Sequence, residues 1–135
     1  MTGIRGSVLF LTSNFPRWHG DSTTPFVLHL AEDLQKLGWA THVIAPAAPG
    51  AAPDEEVSGV RVSRFRYAWP DTAQTVCYDG GALANIRSNR RERLKLPMLV
   101  GAEIATLTRR LTRRKYSLLH SHWIVPQGFA GVFAA

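Results

Sequence analysis

The chain has 135 residues, of which 45% are hydrophobic and 19% are charged, and its formal net charge at pH 7 is +6. This length is sufficient for one modest domain, and the single cysteine, Cys77, excludes an intrachain disulfide and a cysteine-based zinc cluster. No segment approaches the roughly 18 apolar residues that span a bilayer, and the N-terminus lacks a signal-peptide pattern, so we expect a cytoplasmic protein.

Residues 7–46 form the first predicted unit, in which a strand, a loop, a helix and a second strand follow one another. Residues 8–11 are apolar at every position, as is typical of a strand buried in a parallel sheet. The loop at residues 13–24 contains Gly20, and residues 41–46 are predicted to return as a strand. In such a βαβ unit, the N-terminus of the helix directs its free N–H groups over the ends of the strands.

The helix of this unit has signals at both ends. Thr24 is suited to the N-cap, Pro25 to the first helical position and Gly38 to the end of the helix. The apolar residues at helical spacing are Phe26, Val27, Leu30, Leu34 and Leu37. This pattern predicts an amphipathic helix that packs against the sheet through one stripe.

The middle of the chain is predicted to contain one strand between two loops. Residues 47–56 are rich in Ala, Pro and Gly, and residues 68–81 contain a proline and two adjacent glycines, so both segments are interpreted as loops. Apolar residues alternate with arginine and serine in residues 60–67, apart from one irregularity. This alternation predicts a half-exposed strand at the edge of the sheet.

The last third of the chain is predicted to add two helices, a strand and the start of another helix. A short helix covers residues 85–96, a longer one begins at Pro97, a strand covers residues 116–123, and a further helix begins at Pro126. The apolar residues at helical spacing in the longer helix are Val100, Ile104, Leu107 and Leu111. This order is typical of the first part of a doubly wound parallel α/β domain, so we expect residues 1–135 to be an incomplete domain.

Ten of the sixteen basic residues lie within residues 87–115, which concentrates positive charge in one segment. One interpretation is a solvated helix face. The other is docking on an anionic membrane surface, because the basic residues are interleaved with apolar ones such as Leu94 and Met98. Nucleic-acid binding is not favoured, since no recognition motif accompanies the charge.

The first loop is a candidate ligand site, because backbone N–H groups between a strand and a helix N-terminus can bind a diphosphate. The residues that compose this candidate site are Phe15, Pro16, Gly20 and Asp21. The alternative is that Gly20 only permits a turn. The loop has neither the GxGxxG pattern of a dinucleotide site nor the GxxxxGKS/T pattern of a P-loop.

Two histidines close the last predicted strand. Alternation places His120 and His122 on one face and Ser121 on the other. Such a pair is either structural or part of a site, and a zinc site is not predicted because no third ligand stands at a suitable spacing. Tyr78, followed by Asp79 and the two glycines, is likewise either an ordinary turn or a binding segment.

Two stretches of the chain resemble glycosyltransferase family 4 enzymes of the GT-B fold. Residues 13–21, SNFPRWHGD, and residues 25–46, PFVLHLAEDLQKLGWATHVIAP, are similar to the opening of such enzymes. The chain departs from the pattern at Trp39, where the family often has His, and at Asp21, where a second glycine is common. The matching positions are Leu30, Ala31, Leu34, Gly38, Val43 and Pro46. Residues 120–128 resemble the family's strand end, in which His-x-His-Trp precedes a Pro-Gln-Gly helix start.

The resemblance implies a Rossmann-like domain on the acceptor side of a retaining glycosyltransferase that uses a nucleotide-sugar, with no other cofactor and no essential metal. It implies that His122 is catalytic. The substrate-binding residues that it implies are Phe15, Pro16, Gly20, Asp21, Tyr78, Gly80, Gly81, His120, Gln127 and Gly128. The family's nucleotide-sugar domain is absent from the sequence, so we expect residues 1–135 to be inactive alone.

Two other functions remain open from the sequence. One is a small Rossmann-like nucleotide-binding module, and the other is a basic protein bound at the inner face of the membrane through residues 87–115. The leading hypothesis makes a geometric prediction that separates it from both. It requires Gly20 and His122 to lie at the same edge of a parallel sheet.

Overall fold

The computed structural model of the protein describes residues 3–122, which form a five-stranded sheet with helices on both faces. The elements in chain order are β1 (Gly6–Leu11), α1 (Pro25–Lys36), β2 (Trp39–Pro46), β3 (Asp54–Val57), β4 (Val60–Phe65), a 3-10 turn (Asp71–Ala73), α2 (Ala82–Ser88), α3 (Arg90–Arg113) and β5 (Leu118–Ser121). The helices and strands follow the predicted order, with one additional strand, β3.

The strand order of the sheet is β3-β4-β2-β1-β5. Neighbouring strands among β4, β2, β1 and β5 are parallel, and β3 pairs antiparallel with β4. The parallel strands in chain order are β1, β2, β4 and β5, and in the sheet β1 lies between β2 and β5. This is the strand order of the first part of a doubly wound α/β domain. The predicted Rossmann-like fold class is confirmed, with an antiparallel strand added at one edge.

Two apolar clusters cover the opposite faces of the sheet. On one face, Phe10 of β1 belongs to a cluster with Val27 of α1. On the other face, Leu11 belongs to a cluster with Leu99 and Leu107 of α3. Successive side chains of a strand point to opposite faces, so β1, buried on both sides, is apolar at consecutive positions.

The ends of α1 are as predicted, but its N-terminus is not capped by a side chain. Pro25 occupies the first turn, and Gly38, with φ of +89°, follows the last turn. Thr24 stands at the N-cap position with a left-handed backbone, φ +43°, and makes no capping hydrogen bond. Its hydroxyl donates instead to Oδ1 of Asn14 at 2.6 Å. Thr24 is therefore the N-cap residue, as predicted, but its left-handed backbone differs from the extended conformation in which an N-cap oxygen accepts from the first turn.

A β-hairpin replaces part of the loop predicted at residues 47–56. β3 pairs antiparallel with β4 through a turn at Ser58 and Gly59. Both turn residues have positive φ, +51° and +80°, as a two-residue hairpin turn requires. β4 therefore lies inside the sheet between β2 and β3, and every residue of it except Arg61 is buried, so the prediction of a half-exposed edge strand was wrong.

In the last third of the chain, the helices begin and end at other residues than those predicted. α3 is one continuous helix with Pro97 inside it, and α2 ends before it at Ser88. The division falls at Asn89, whose side chain accepts a hydrogen bond from the backbone N–H of Arg91 at 2.9 Å and caps α3. Pro97 is exposed, and packing of the helix on the sheet outweighs the loss of one backbone hydrogen bond.

The remaining predicted elements are placed as follows. β5 lies within the strand predicted at residues 116–123, and the predicted loop at residues 68–81 contains the 3-10 turn. The helix predicted from Pro126 lies outside the described residues. Within residues 3–122, none of the helices combines the length and the apolar character needed to cross a membrane.

Candidate functional site

The carboxyl ends of β1 and β5 lie side by side at the point where the strand order reverses. At such a point the connections leave the sheet on opposite faces, which opens a crevice at the strand ends. Leu11 is in register with Ser121, and the backbone N–H of His122 donates to the carbonyl oxygen of Leu11 at 2.8 Å. The loop that contains Gly20 leaves β1 at this edge. His19, next to Gly20, however contacts Oγ of Ser58 at 3.2 Å, and Ser58 precedes the amino end of β4. The loop therefore extends away from this edge, and the meeting of Gly20 and His122 at one edge stays a prediction.

The two histidines form a stack on the α1 face of the sheet. The ring centroids of His120 and His122 are 4.5 Å apart, and the rings are inclined by 7°. Both rings stack on Phe10, and Phe26 of α1 contacts His122 edge-on at 6.0 Å. Burial, with a smaller contribution from His120, lowers the pKa of His122, so its imidazole is neutral at pH 7. Nε2 of His122 is buried and has no hydrogen-bond partner within residues 3–122.

Arg17 and Asp21 fix the turn around Gly20. Oδ2 of Asp21 accepts hydrogen bonds from Nε and from the backbone N–H of Arg17, both at 2.8 Å. Oδ1 of Asp21 accepts a hydrogen bond from the hydroxyl of Thr23 at 3.0 Å. The bonds from Arg17 hold the pKa of the Asp21 carboxyl well below its usual range. Gly20 has φ of +87° with open space beside its Cα, so the turn conformation itself requires glycine.

The segment before α2 approaches the first loop through Asp79. Nη1 of Arg17 lies 3.3 Å from Oδ1 of Asp79, and the guanidinium carbon lies 5.5 Å from the ring centre of Tyr78. Asp79, Gly80 and Gly81 have consecutive positive φ values of 53°, 113° and 89°. Such a run turns the chain sharply from Tyr78 into α2, and two of its three positions are glycine for that reason.

A polar cavity of about 230 Å³ lies beside this segment and is called the amide cavity below. The residues that line it are Thr75, Tyr78, Asp79, Asn85, Ser88, Asn89 and Glu92. Asn85 shapes its wall, because Nδ2 lies within 2.7–3.1 Å of the carbonyl oxygens of Thr75, Val76 and Tyr78. The lining combines hydroxyls, amides and carboxylates, which can donate to and accept from the hydroxyl groups of a polar ligand.

Several residues predicted to bind substrate belong to the framework. The side chain of Phe15 is fully buried, and Tyr78 is 2% exposed. The Tyr78 hydroxyl donates to the carbonyl oxygen of Pro46 at 2.8 Å and accepts from Nη1 of Arg64 at 3.2 Å. Nη2 of Arg64 also donates to the carbonyl oxygen of Pro16. Arg64 thereby connects Pro16, in the loop after β1, to Tyr78, in the segment before α2. Phe15 and Tyr78 are buried and support the site by packing.

Other predicted positions do reach the surface. The predicted residues with at least partial exposure are Gly20, Asp21, Gly80, Gly81, His120 and His122. The carboxylate of Asp21 is already engaged by Arg17 and Thr23. Gln127 and Gly128 lie outside the described residues.

The sequence did not indicate three residues that build this region, Asn14, Arg17 and Asn85. Nδ2 of Asn14 donates to the carbonyl oxygen of Cys77 at 3.4 Å, across 63 positions of the chain. Opposite charges four positions apart, at Arg17 and Asp21, were a usable signal for the first loop. Nothing in the sequence marks Asn14 or Asn85, because their partners are set by the tertiary fold.

Within residues 3–122, this region has neither a cluster of metal-ligating side chains nor an accessible thiol. No group of three His, Cys, Asp or Glu side chains within residues 3–122 is placed to hold a metal ion. Cys77 is buried, and burial raises the pKa of its thiol, which keeps it protonated near pH 7.

Comparison with known proteins adds a family and a fold. The family profile described as "Glycosyl transferase 4-like domain" matches residues 23–135. The chain is similar to a solved structure of sucrose-phosphate synthase from Thermosynechococcus elongatus, with 18% identity, a TM-score of 0.57, and coverage of 96% of this chain and 30% of that chain. A second structure of sucrose-phosphate synthase from that organism gives 21% identity, a TM-score of 0.50, and coverage of 92% and 54%.

Both sucrose-phosphate synthase structures are longer than this chain. At such identities the likenesses show the fold, and the chain spans less than two thirds of the length of either structure. No curated protein matches the chain by sequence. The family match covers most of the chain and includes α1, the amide cavity and the histidine pair.

Proposed function

The chain belongs to the glycosyl transferase 4-like family, and from that premise we propose that it forms the acceptor-side domain of a GT-B glycosyltransferase. The proposed reaction moves a sugar from a nucleotide-sugar to a hydroxyl group of an acceptor, with retention of anomeric configuration. It uses no cofactor besides the nucleotide-sugar and no essential metal. The proposed location is the cytoplasm.

One observation carries this proposal. The His120–His122 stack lies at the carboxyl ends of β1 and β5, and the loop after β1 leaves the sheet at the same ends. Arg17 of that loop pairs with Asp79, which lines the amide cavity. Ligands of open α/β sheets bind at such a crevice. The hydroxyl, amide and carboxylate groups of the amide cavity match the many donors and acceptors of a sugar or polyol, and we assign the acceptor to this side.

His122 is proposed as the catalytic residue. Its lowered pKa keeps the imidazole neutral at pH 7, so one ring nitrogen can accept a hydrogen bond or a proton from a reacting hydroxyl. Its position is fixed by stacking on His120 and Phe10 and by the edge contact of Phe26. Held in this way, the ring loses little conformational freedom when a substrate binds.

The backbone of the Gly20 loop is proposed to face the diphosphate of the nucleotide-sugar. The loop leads into the N-terminus of α1, where Pro25 has no N–H and no side chain forms a cap. Helix N-termini favour negative charge, because their N–H groups and the helix dipole point the same way. The open space beside Gly20 allows a ligand to approach the backbone.

The nucleotide-sugar domain is proposed to be a separate α/β unit that is not part of residues 1–135. The support is that the chain covers 30% of the first sucrose-phosphate synthase structure. A crevice formed by one domain alone exposes a bound donor to water and fixes few of its groups. We therefore propose that residues 1–135 have no transferase activity alone.

The acceptor assignment is tested by NMR titration of the 135-residue chain with a panel of mono- and disaccharides. We expect at least one saccharide to shift the amide signals of Asp79 and Asn85 in a saturable way. Glu92→Gln removes a carboxylate from the amide cavity and should weaken this binding, whereas Glu56→Gln, on the exposed edge strand, should not. Shifts confined to other regions, or no response to any saccharide, would refute the assignment.

The inactivity of the isolated chain is tested with radiolabelled nucleotide-sugars and the same saccharides. We expect neither transfer nor donor hydrolysis above the rate without protein. Transfer by residues 1–135 would show that the proposed second domain is dispensable. This result would leave the acceptor assignment intact, since binding is measured separately.

A membrane contact is proposed as an additional property, because α2 and α3 expose apolar residues among arginines. Leu83, Leu94 and Met98 are 64%, 77% and 50% exposed. Arg90 and Arg91 are exposed on the same helix as Leu94. Basic and apolar side chains that alternate on a helix bind anionic interfaces through both charge and buried area.

Co-sedimentation with vesicles tests this contact. The chain should bind vesicles that contain phosphatidylglycerol, and bind phosphatidylcholine vesicles much less. A Leu94→Gln/Met98→Gln variant should lose most of the binding, whereas Leu37→Gln, an exposed leucine next to α1, should not. Equal binding by both variants would contradict a contact through α3.

A further inference from the structure

A second cavity lies on the opposite face of the sheet from the histidine pair, between β4 and the C-terminal half of α3. Its volume is about 350 Å³. We call it the arginine cavity; its polar side chains come from Ser63, Arg66, Thr106, Arg109, Arg110 and Arg113. None of the residues that line it within residues 3–122 is acidic. Phe65, which also lines it, belongs to the α3-side apolar cluster, whereas the histidines stack on the α1 side.

One guanidinium of the arginine cavity is held in place by a chain of hydrogen bonds. Nη2 of Arg110 donates to Oγ of Ser63 at 3.0 Å and lies 3.5 Å from a carboxylate oxygen of Asp54. Ser63 donates its hydroxyl proton to Asp54, so Nε2 of His42 donates to Oγ of Ser63 at 2.8 Å. Nδ1 of His42 then accepts from the hydroxyl of Tyr116 at 2.8 Å. Arg110 is therefore positioned before any ligand binds.

The other guanidinium groups add positive charge that internal carboxylates do not balance. Arg66 stacks over Trp69 at 3.4 Å and lies 3.7 Å from Asp71. Arg109 and Arg113 form no ion pair within residues 3–122. They stand four positions apart on α3, a spacing at which like charges repel. Five arginines line the cavity, of which three, Arg64, Arg66 and Arg110, lie within 4.0 Å of a carboxylate. The positive charge of the other two is not offset by an ion pair within residues 3–122.

We propose that the arginine cavity binds a phosphate monoester. A dianion relieves the repulsion between the guanidinium groups, and the planar forks of arginine match phosphate oxygens in pairs. The volume accommodates a phosphate with a small attached group. The arginine cavity shares no lining residue with the amide cavity, to which the acceptor is assigned, so the phosphate monoester is a second ligand and not the acceptor of the proposed transfer.

Calorimetric titration of the 135-residue chain with inorganic phosphate and with glycerol 3-phosphate tests the proposal, with glycerol as the uncharged control. Both phosphates should bind saturably in the millimolar range or tighter, and glycerol should not bind. The variant Arg109→Gln/Arg113→Gln should weaken binding by about tenfold or more, as expected for two lost charge-assisted contacts. The variant Arg90→Gln/Arg91→Gln removes the same charge from the first turn of α3 and should leave the affinity within about twofold.

Vesicles distinguish a soluble ligand from a lipid headgroup. Phosphatidic acid carries a phosphate monoester, whereas phosphatidylglycerol carries a diester of the same sign. Tighter binding to phosphatidic acid than to phosphatidylglycerol, with the difference removed by Arg109→Gln/Arg113→Gln, supports the same chemistry with a lipid as its source. The proposal is overturned if phosphate monoesters do not bind in either form, or if the two double variants weaken the binding of the soluble phosphates equally.

Discussion

Arg17 and Asp79 join the loop after β1 to the loop after β4, with 3.3 Å between Nη1 and Oδ1. The two residues are 62 positions apart, and Asp79 is largely exposed. The same guanidinium lies 4.6 Å from the ring centre of Trp18 and packs near Tyr78. Arg17 therefore links the loop after β1 to the amide cavity, the region to which the acceptor is proposed to bind.

Arg17→Gln should destabilise the protein through Asp21. The Asp21 side chain is 6% exposed and loses its cationic partner in this variant. Leaving such a carboxylate without its partner costs about 1–3 kcal/mol in the free energy of unfolding. Urea denaturation at pH 7 measures the change, and Asp33→Asn, in the exposed Asp33–Lys36 pair, serves as the control with no expected effect. Equal midpoints for Arg17→Gln and the wild type would contradict the assigned role of Asp21.

Stability should fall as the pH is lowered from about 6.5 to about 4, because of His42. Burial, with repulsion from Arg61, Arg110 and Arg114, lowers the pKa of His42 from 6.5 to about 4, and Asp54 opposes this shift only in part. Within that range the unfolded chain binds a proton that the folded chain does not. The free energy of unfolding therefore decreases by up to roughly 1.4 kcal/mol per pH unit, or about 3 kcal/mol in total.

The test of the His42 prediction is urea denaturation at several pH values for the wild type and for His42→Gln. The glutamine cannot titrate, so the variant should have a flatter pH dependence between pH 6.5 and 4. Carboxylates titrate in both proteins and cancel in the difference. Parallel curves for the two proteins would show that His42 is protonated at its ordinary pKa.

Arg64→Lys should be strongly destabilising, although it preserves the charge. The Arg64 side chain is fully buried, lies 3.5 Å from Glu55, and bonds both Pro16 and the hydroxyl of Tyr78. A lysine ammonium cannot reach partners on several sides with a planar fork, and breaking a buried charge contact costs about 3–5 kcal/mol. Arg61→Lys, on the same strand but exposed, is the control, and a thermal melt compares them.

Ser58→Asn should stabilise the hairpin of β3 and β4. Ser58 has φ of +51°, a conformation that costs most residues about 1–2 kcal/mol and that asparagine tolerates better. Asparagine followed by Gly59 is the preferred pair for a two-residue hairpin turn. The free energy of unfolding should rise by a few tenths to about 1 kcal/mol, whereas Ser58→Ala should not raise it. A decrease for Ser58→Asn would show that the turn depends on the serine hydroxyl.

The sequence predicted the parallel strands and α1 because each has a local signal. Alternation placed His120 and His122 on one face, and apolar positions marked β1 and α1. The predicted stripe of α1 was wrong, because Phe26, Leu30 and Leu37 are exposed and the buried residues of the helix are Val27, Leu28 and Ala31. The strand β3 was not predictable in this way. Its residues are three carboxylates and a valine, which have no strand periodicity, and it forms because the turn at Ser58 and Gly59 returns the chain against β4.

The site was predictable only in outline. The loop and the histidines were found because both follow strands, and parallel strands end at a common edge. Arg64 and Asn85 act through partners brought close by the fold, and an arginine in an alternating strand is normally taken as exposed. The division between α2 and α3 depends on Asn89, one short side chain, against the stronger local signal of Pro97.

The hairpin at the outer edge of the sheet also bears on self-association. β3 has four residues, and Asp54, Glu55 and Glu56 place three carboxylates on consecutive positions of this edge strand. A short, negatively charged edge repels a second copy of itself and so discourages intermolecular strand pairing. An antiparallel strand with little hydrophobic surface thereby protects a parallel core whose next strand inward, β4, would otherwise be a template for aggregation.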